Sequence, residues 1–216
     1  MTNERRLFLG SCFALITTAL SFSIRAGIMP ELETALSLSA EQLGQINSMW
    51  FFGFPISMVV GGLIYHKVGG KVIMQFAFFA HVIGILMTIY AGSFVGLMIA
   101  TFLIGLGNGC TEAACNPMIA DTYEGNKMSK MMNRFHMWFP GGIVLGSLLS
   151  LAMTEMGFGW KAQTWVVLIP ALIYAALFWG QDWPKAKVQQ ASNLSGNLTA
   201  MATPLFIFMA FCMWWT

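Results

Sequence analysis

Long apolar runs constrain the fold of this chain more than any other feature of the sequence. A helix that crosses a bilayer needs about 20 predominantly apolar residues. Six runs of roughly this length occur: Leu7–Met29, Leu43–Tyr65, Val72–Tyr90, Phe94–Ala120, Phe135–Met153 and Thr164–Gly180. The pattern predicts an all-α membrane protein with six transmembrane helices, followed by the start of a seventh.

Charge content supports the same prediction. Only 9% of the 216 residues are charged and 57% are hydrophobic, whereas a soluble domain carries about 25% charged residues. Most of the surface therefore does not face water, and we expect the lipid bilayer to be a partner. The net charge of +2 gives no reason to expect nucleic acid.

The placement of Lys and Arg predicts the orientation, because cytoplasmic loops are enriched in these residues. With a cytoplasmic N-terminus in the plasma (inner) membrane, only Lys161 lies in an outer loop. The inner segments hold Arg5, Arg6, Lys67, Lys71, Lys127, Lys130, Arg134, Lys185 and Lys187. Tryptophans near the span ends are interpreted as interface anchors: Trp50, Trp160 and Trp165 outside, and Trp179 and Trp183 inside.

The apolar runs also predict the domain organisation. Residues 1–180 form the six-helix bundle, residues 181–203 a polar cytoplasmic linker, and residues 204–216 the truncated start of a seventh span. Thirteen residues are too few to cross the hydrocarbon as a helix. This layout is typical of two-bundle secondary transporters, and we expect a fragment whose C-terminal half or partner bundle is missing.

One carboxylate lies in the fourth span. Glu112 interrupts a segment that is otherwise able to cross the bilayer, and an acidic residue at the centre of a span costs about 2.5–3.5 kcal/mol. Asn116 follows at i+4, on the same helical face, and Pro117 frees a backbone carbonyl. The three groups predict a polar patch for a hydroxyl-rich solute and a proton, or a patch that only joins helices.

A second intramembrane charge suggests an internal repeat. Arg25 lies five residues before Pro30, as Glu112 lies five residues before Pro117. The first and fourth spans would then lead two inverted three-helix repeats, a transporter feature, although chance remains an alternative. The estimated depths of Arg25 and Glu112 differ too much to favour a direct ion pair.

The remaining polar or small residues are interpreted individually. His136, near the start of the fifth span, either accepts a proton or is merely solvated, and His81 is expected to make a buried hydrogen bond between helices. Two glycine pairs spaced for close helix packing are Gly105 with Gly109 and Gly142 with Gly146. The cysteines are read as small apolar residues. The sequence shows no nucleophile–base set, metal cluster or dinucleotide motif, so neither an enzyme nor a cofactor is predicted.

Two segments resemble a known family. The stretch Gly62–Lys71 is similar to a weakened form of the loop motif of major facilitators, with His66 at the acidic position. The fourth span, with its Gly-rich run before Glu112 and Asn116-Pro117, resembles the fucose–proton symporter family of sugar carriers. The second span, which contains Asn47, is similar to the same family.

The resemblance implies the amino-terminal half of a twelve-span carrier that imports a sugar or similar polar solute by symport with a proton. It implies that Glu112 titrates, that Asn116 binds solute and that His136 faces the cavity. Asn47 is expected to be a further substrate- or proton-binding residue. Thr101 replaces the Arg typical of drug exporters.

One position departs from the pattern: the family's first-span Asp is Ala26 here, preceded by Arg25. Arg25 either favours an anionic solute such as a sugar acid or holds Glu112 charged through water. A non-transporting membrane subunit, or a remnant half that needs a partner bundle, is the alternative function.

Overall fold

The computed structural model describes residues 3–187 and 203–204. Its first compact unit, which ends at Ala186, contains six helices. They are α1 (Asn3–Leu36), α2 (Ala40–Ile89), α3 (Phe94–Thr122), α4 (Gly125–His136), α5 (Trp138–Glu155) and α6 (Trp160–Phe178). The second unit begins at Lys187. The predicted seventh span and most of the predicted linker lie outside the described residues.

The second and third predicted spans together form one helical element, α2, which is 50 residues long. A straight helix of that length would measure about 75 Å, far more than the roughly 30 Å of a bilayer core. Gly69, with φ +78° and ψ 155°, interrupts it. Glycine adopts this backbone conformation without the steric penalty that a Cβ imposes. The predicted loop is therefore reduced to a kink.

Contacts with α3 show how α2 continues after the kink. A Cβ on Gly53, before the kink, would lie 2.5 Å from the Phe102 carbonyl, and one on Gly84, after it, would lie 2.9 Å from the Ala100 carbonyl. Both halves of α2 thus pack on the same part of α3, so the chain reverses direction at Gly69.

Five helical segments are long and apolar enough to cross a membrane among the described residues. The predicted count of six is not confirmed, because α2 contains two of the predicted spans. The fifth predicted span, Phe135–Met153, is also shifted: helix α5 begins at Trp138, after a bend at Met137. Before that bend lies α4, an amphipathic helix that the apolar runs do not predict.

Three contacts locate one end of the bundle. Asn3 Nδ2 donates to the backbone carbonyl of Asp182 at 2.8 Å, and the rings of Phe8 and Tyr123 are 6.4 Å apart. Gly70 packs against Trp183. The start of α1, the kink of α2, and the carboxyl ends of α3 and α6 therefore share one end, where most of the basic residues lie.

The glycine pairs allow close helix packing, as predicted. A Cβ on Gly105 would lie 2.7 Å from the Trp50 carbonyl oxygen, and one on Gly142 would lie 2.6 Å from the Ala19 side chain. Gly109 and Gly146 are equally confined. Small residues let neighbouring backbones approach where lipid provides no hydrophobic driving force.

The described cysteines are free and buried, as expected of small apolar residues: Cys12, Cys110 and Cys115. Cys212 lies outside the described residues.

Many large apolar side chains face outward, such as Phe52, Val59, Val144 and Leu148, each 57–60% exposed. In water this surface would be costly, whereas lipid or a second bundle accommodates it.

Candidate functional site

Glu112 and Asn116 form a hydrogen-bonded pair on one face of α3. The helix continues through Pro117 to Thr122, so the i, i+4 spacing places the two side chains together. Asn116 Nδ2 donates to Glu112 Oε2 at 2.7 Å, and both residues are half-buried. The pair occupies the wall of the bundle rather than its interior.

The amide oxygen of Asn116, in contrast, has no hydrogen-bond partner among the described residues. This Oδ1 atom is buried. A buried acceptor without a donor costs about 1–3 kcal/mol. A solute hydroxyl that donates to Oδ1 would recover this energy.

His136 lies close enough to Glu112 to interact with its charge. Its neighbour Phe135 is fully buried in the core, which fixes the end of α4 and leaves His136 on the exposed side. The structure therefore brings together three of the residues selected from the sequence: Glu112, Asn116 and His136.

Arg25 lies elsewhere, and among the described residues it makes no ion pair with Glu112. Its Nε and Nη1 are buried and have no hydrogen-bond partner in the described chain. The guanidinium lies 5.9 Å from the ring centroid of Phe22 and 5.8 Å from that of Trp50. Aromatic faces attract a cation but leave its N–H donors free. Two buried donors of Arg25 therefore remain without an acceptor among the described residues.

Trp50 corrects the prediction made from its position. It is 6% exposed and stacks on Phe54, with ring centroids 5.2 Å apart and an interplanar angle of 11°, so it is a packed support for Arg25 rather than an interface anchor. Trp160 is also 6% exposed, whereas Trp165 and Trp179 are 43% and 82% exposed. Sequence spacing alone does not distinguish these two environments.

Asn47 lies on α2 one turn before Trp50 and is half-buried. Its side chain makes no hydrogen bond to another residue in the described ranges. Its predicted role in solute binding stays a prediction.

A small void lies beside Arg25. Its volume is about 30 Å³, and polar groups of Ser21, Thr88, Thr101 and Thr164 line it together with aliphatic side chains. This space suits a water molecule and is far too small for a sugar. The void alone therefore cannot hold a sugar, whereas Glu112 and Asn116 are half-exposed on α3.

A buried hydrogen-bond chain lies deeper in the bundle, and His81 is its centre. His81 is fully buried; its Nε2 is 2.8 Å from Asn108 Oδ1, and its Nδ1 is 3.0 Å from the Tyr174 hydroxyl. Asn108 Nδ2 donates to Ser21 Oγ at 3.1 Å. This confirms the predicted interhelical hydrogen bond of His81.

The directions of these bonds determine the tautomer of His81. Because the Asn108 amide nitrogen donates to Ser21, its oxygen accepts from His81 Nε2–H, and Nδ1 accepts from Tyr174. The chain joins α1, α2, α3 and α6, and it holds α3 one turn before Glu112. Sequence reasoning missed Asn108, although it lies at i−4 from Glu112 within the glycine-rich run.

Residues 11–216 match the Major Facilitator Superfamily. The chain belongs to this superfamily. It is 27% identical over 182 residues to the hexuronate transporter of Bacillus subtilis, a match that covers 81% of this chain and 41% of that protein. It is 24% identical over 111 residues to the L-fucose-proton symporter of Escherichia coli, covering 50% of this chain and 25% of that protein.

The superfamily fold is also evident in solved structures. The crystal structure of a D-xylose-proton symporter superposes with a TM-score of 0.78 at 15% identity, covering 96% of this chain and 55% of that chain. At this identity the likeness concerns the fold alone. The chain spans about half, or less, of the length of these proteins. It is an integral membrane protein whose relatives are transporters of sugars and anions.

Proposed function

We propose that this chain forms part of a secondary carrier that moves a sugar acid, or a similar small carboxylate, together with a proton. The observation that carries the proposal is Arg25, a buried guanidinium in the membrane with unused donors. Intramembrane charges are costly and typically mark a pathway or a binding site. A solute carboxylate would satisfy those donors, and the hexuronate transporter is a relative of fitting chemistry.

The other predicted residues would bind the solute hydroxyls and the proton. Asn116 Oδ1 would accept a hydrogen bond from a solute hydroxyl, and Glu112 would carry the proton. His136, which lies near enough to Glu112 for an electrostatic interaction, would influence when that proton leaves. In this proposal Arg25 would offer a cationic group, and Glu112 a protonatable group, to different parts of the solute.

A neutral sugar is the second candidate. It is favoured by the Glu112–Asn116 pair, which suits hydroxyl groups, and by the similarity to the L-fucose-proton symporter. For a neutral solute, Arg25 would have no carboxylate to bind. The effect of removing its charge therefore separates the two candidates.

The proposal includes a finer architecture. The reversal of α2 at Gly69 supports six spans arranged as two inverted three-helix repeats, with a partner bundle on the open face of Glu112. The basic end of the bundle supports a cytoplasmic N-terminus in the plasma (inner) membrane.

The test is uptake by cells that express the full reading frame containing these 216 residues. Radiolabelled glucuronate and fucose are compared for the wild type, Arg25→Gln and the matched control Arg134→Gln, which removes an exposed arginine. We expect glucuronate uptake that Arg25→Gln reduces at least tenfold and Arg134→Gln does not. Fucose uptake that survives Arg25→Gln would favour the second candidate, and uptake of neither solute would refute both.

A further inference from the structure

A second, larger cavity lies between α2 after its kink and the carboxyl end of α6, and Glu112 does not line it. We call it the basic groove. Its volume is about 820 Å³, within the roughly 300–1,000 Å³ typical of ligand sites. The residues that matter here are Arg6, Lys71, Phe78, Phe79, Trp179 and Trp183.

The rim of the basic groove is cationic. Arg6 Nη2 donates to the Ala176 carbonyl at 3.2 Å, near the carboxyl end of α6, and its other N–H groups make no hydrogen bond among the residues that the structure describes. Lys71 is exposed and makes no ion pair within the described ranges. The indole Nε1 of Trp183 is buried and has no hydrogen-bond acceptor among the described residues.

Four acidic residues occur near this end, Glu4, Asp121, Glu124 and Asp182, and none of them lines the groove. Asp182 is exposed and contributes its backbone carbonyl to Asn3. Glu4 is exposed and interacts electrostatically with Tyr123, which does not line the groove. The charge that faces the groove is therefore positive.

The floor of the basic groove is apolar and aromatic. Phe78 and Tyr174 form an edge-to-face pair with ring centroids 6.0 Å apart, and Phe79 is 60% exposed. This combination of a cationic rim and an apolar floor suits an amphipathic ligand rather than a free ion.

The depth of the groove in the membrane matches the level of the lipid headgroups. Trp179 directly follows α6 and is 82% exposed, and exposed tryptophans are enriched at the level of lipid headgroups. The groove lies at the end of the bundle that carries most Lys and Arg. In the proposed orientation this end contacts the cytoplasmic leaflet, where anionic lipids concentrate. Basic pockets between helices bind the headgroups of such lipids.

We propose that the basic groove binds one anionic phospholipid of the cytoplasmic leaflet. Its phosphate lies between Arg6 and Lys71, and an acyl chain lies along Phe79. A second copy of the chain is a poorer occupant, because it would bring two cationic rims together. A bound lipid would join the start of α1, α2 and the end of α6.

The test is lipid binding to the purified full-length protein, measured by native mass spectrometry. Phosphatidylglycerol and phosphatidylcholine with identical acyl chains are compared, and inorganic phosphate is added as a competitor. We expect phosphatidylglycerol to bind at least tenfold more tightly than phosphatidylcholine, and phosphate not to displace it.

Variants locate the site. The double variant Arg6→Gln with Lys71→Gln should abolish the preference for phosphatidylglycerol. The matched pair Lys130→Gln with Arg134→Gln, exposed on α4 at the same end, should retain it. Should the double variant not fold, the single variant Lys71→Gln, at an exposed position, should still reduce the preference severalfold.

Three results would overturn the proposal. They are equal binding of the two lipids, a preference that survives in the groove variants, and displacement of the lipid by inorganic phosphate. A lipid-free dimer that disappears in the groove variants would identify a second copy as the occupant instead.

Discussion

Replacing His81 with Leu tests the role of the buried hydrogen-bond chain. The substitution removes the bonds to Asn108 and Tyr174. Interhelical hydrogen bonds in membrane proteins average about 0.6 kcal/mol each. The Tyr174 hydroxyl can rotate, but Asn108 is held by Ser21, so its Oδ1 is left without a donor at a further cost of about 1–3 kcal/mol. We expect a total loss of about 2–4 kcal/mol.

The measurement is the apparent free energy of unfolding during titration with a denaturing detergent. His136→Gln, at an exposed position, is the matched control and should change the value by less than about 0.5 kcal/mol. The double variant His81→Leu with Asn108→Leu should be less destabilised than the sum of its single variants, because the orphaned acceptor is gone. Strict additivity, or a loss below about 0.5 kcal/mol for His81→Leu, would refute this reasoning.

Three further predictions concern packing and the site. Gly105→Ala places a Cβ 2.7 Å from a carbonyl oxygen and should destabilise the protein by about 1–3 kcal/mol in the same titration, whereas Gly62→Ala, which meets nothing within 4 Å, should not. Trp50→Leu removes a ring 5.8 Å from the guanidinium, a contact worth about 0.5–2 kcal/mol, and should raise the KM for glucuronate about 2- to 30-fold; an unchanged KM would contradict the supporting role. Glu112→Gln should abolish solute-driven proton uptake in vesicles while exchange of solute continues, and the exposed control Glu155→Gln should couple normally.

The sequence predicts the bounds of a helix well where the helix has to cross the hydrophobic core of the bilayer. The fourth predicted span, Phe94–Ala120, nearly coincides with α3 (Phe94–Thr122), because a run of apolar residues must match the membrane thickness. It predicts turns less well: around Gly69 a single residue with positive φ replaces a loop, and α4 is too polar for an apolar run to reveal.

For the candidate site, helical periodicity predicts which side chains lie together only when they belong to the same helix. The i, i+4 rule places Asn116 beside Glu112, and the structure shows their hydrogen bond. Contacts between helices are different, because the identity of a side chain's partner on another helix depends on packing that no local pattern encodes. The stacking of Trp50 beneath Arg25 and the bonds of Asn108 to His81 and Ser21 belong to this class.

The central claim is that Arg25 binds the carboxylate of the transported solute. The most direct measurement compares binding of glucuronate and of glucuronamide, its neutral amide, to the full-length wild type and to Arg25→Gln. We predict that the wild type prefers the acid at least tenfold and that Arg25→Gln binds both equally weakly. An unchanged preference for the acid in Arg25→Gln would contradict the claim.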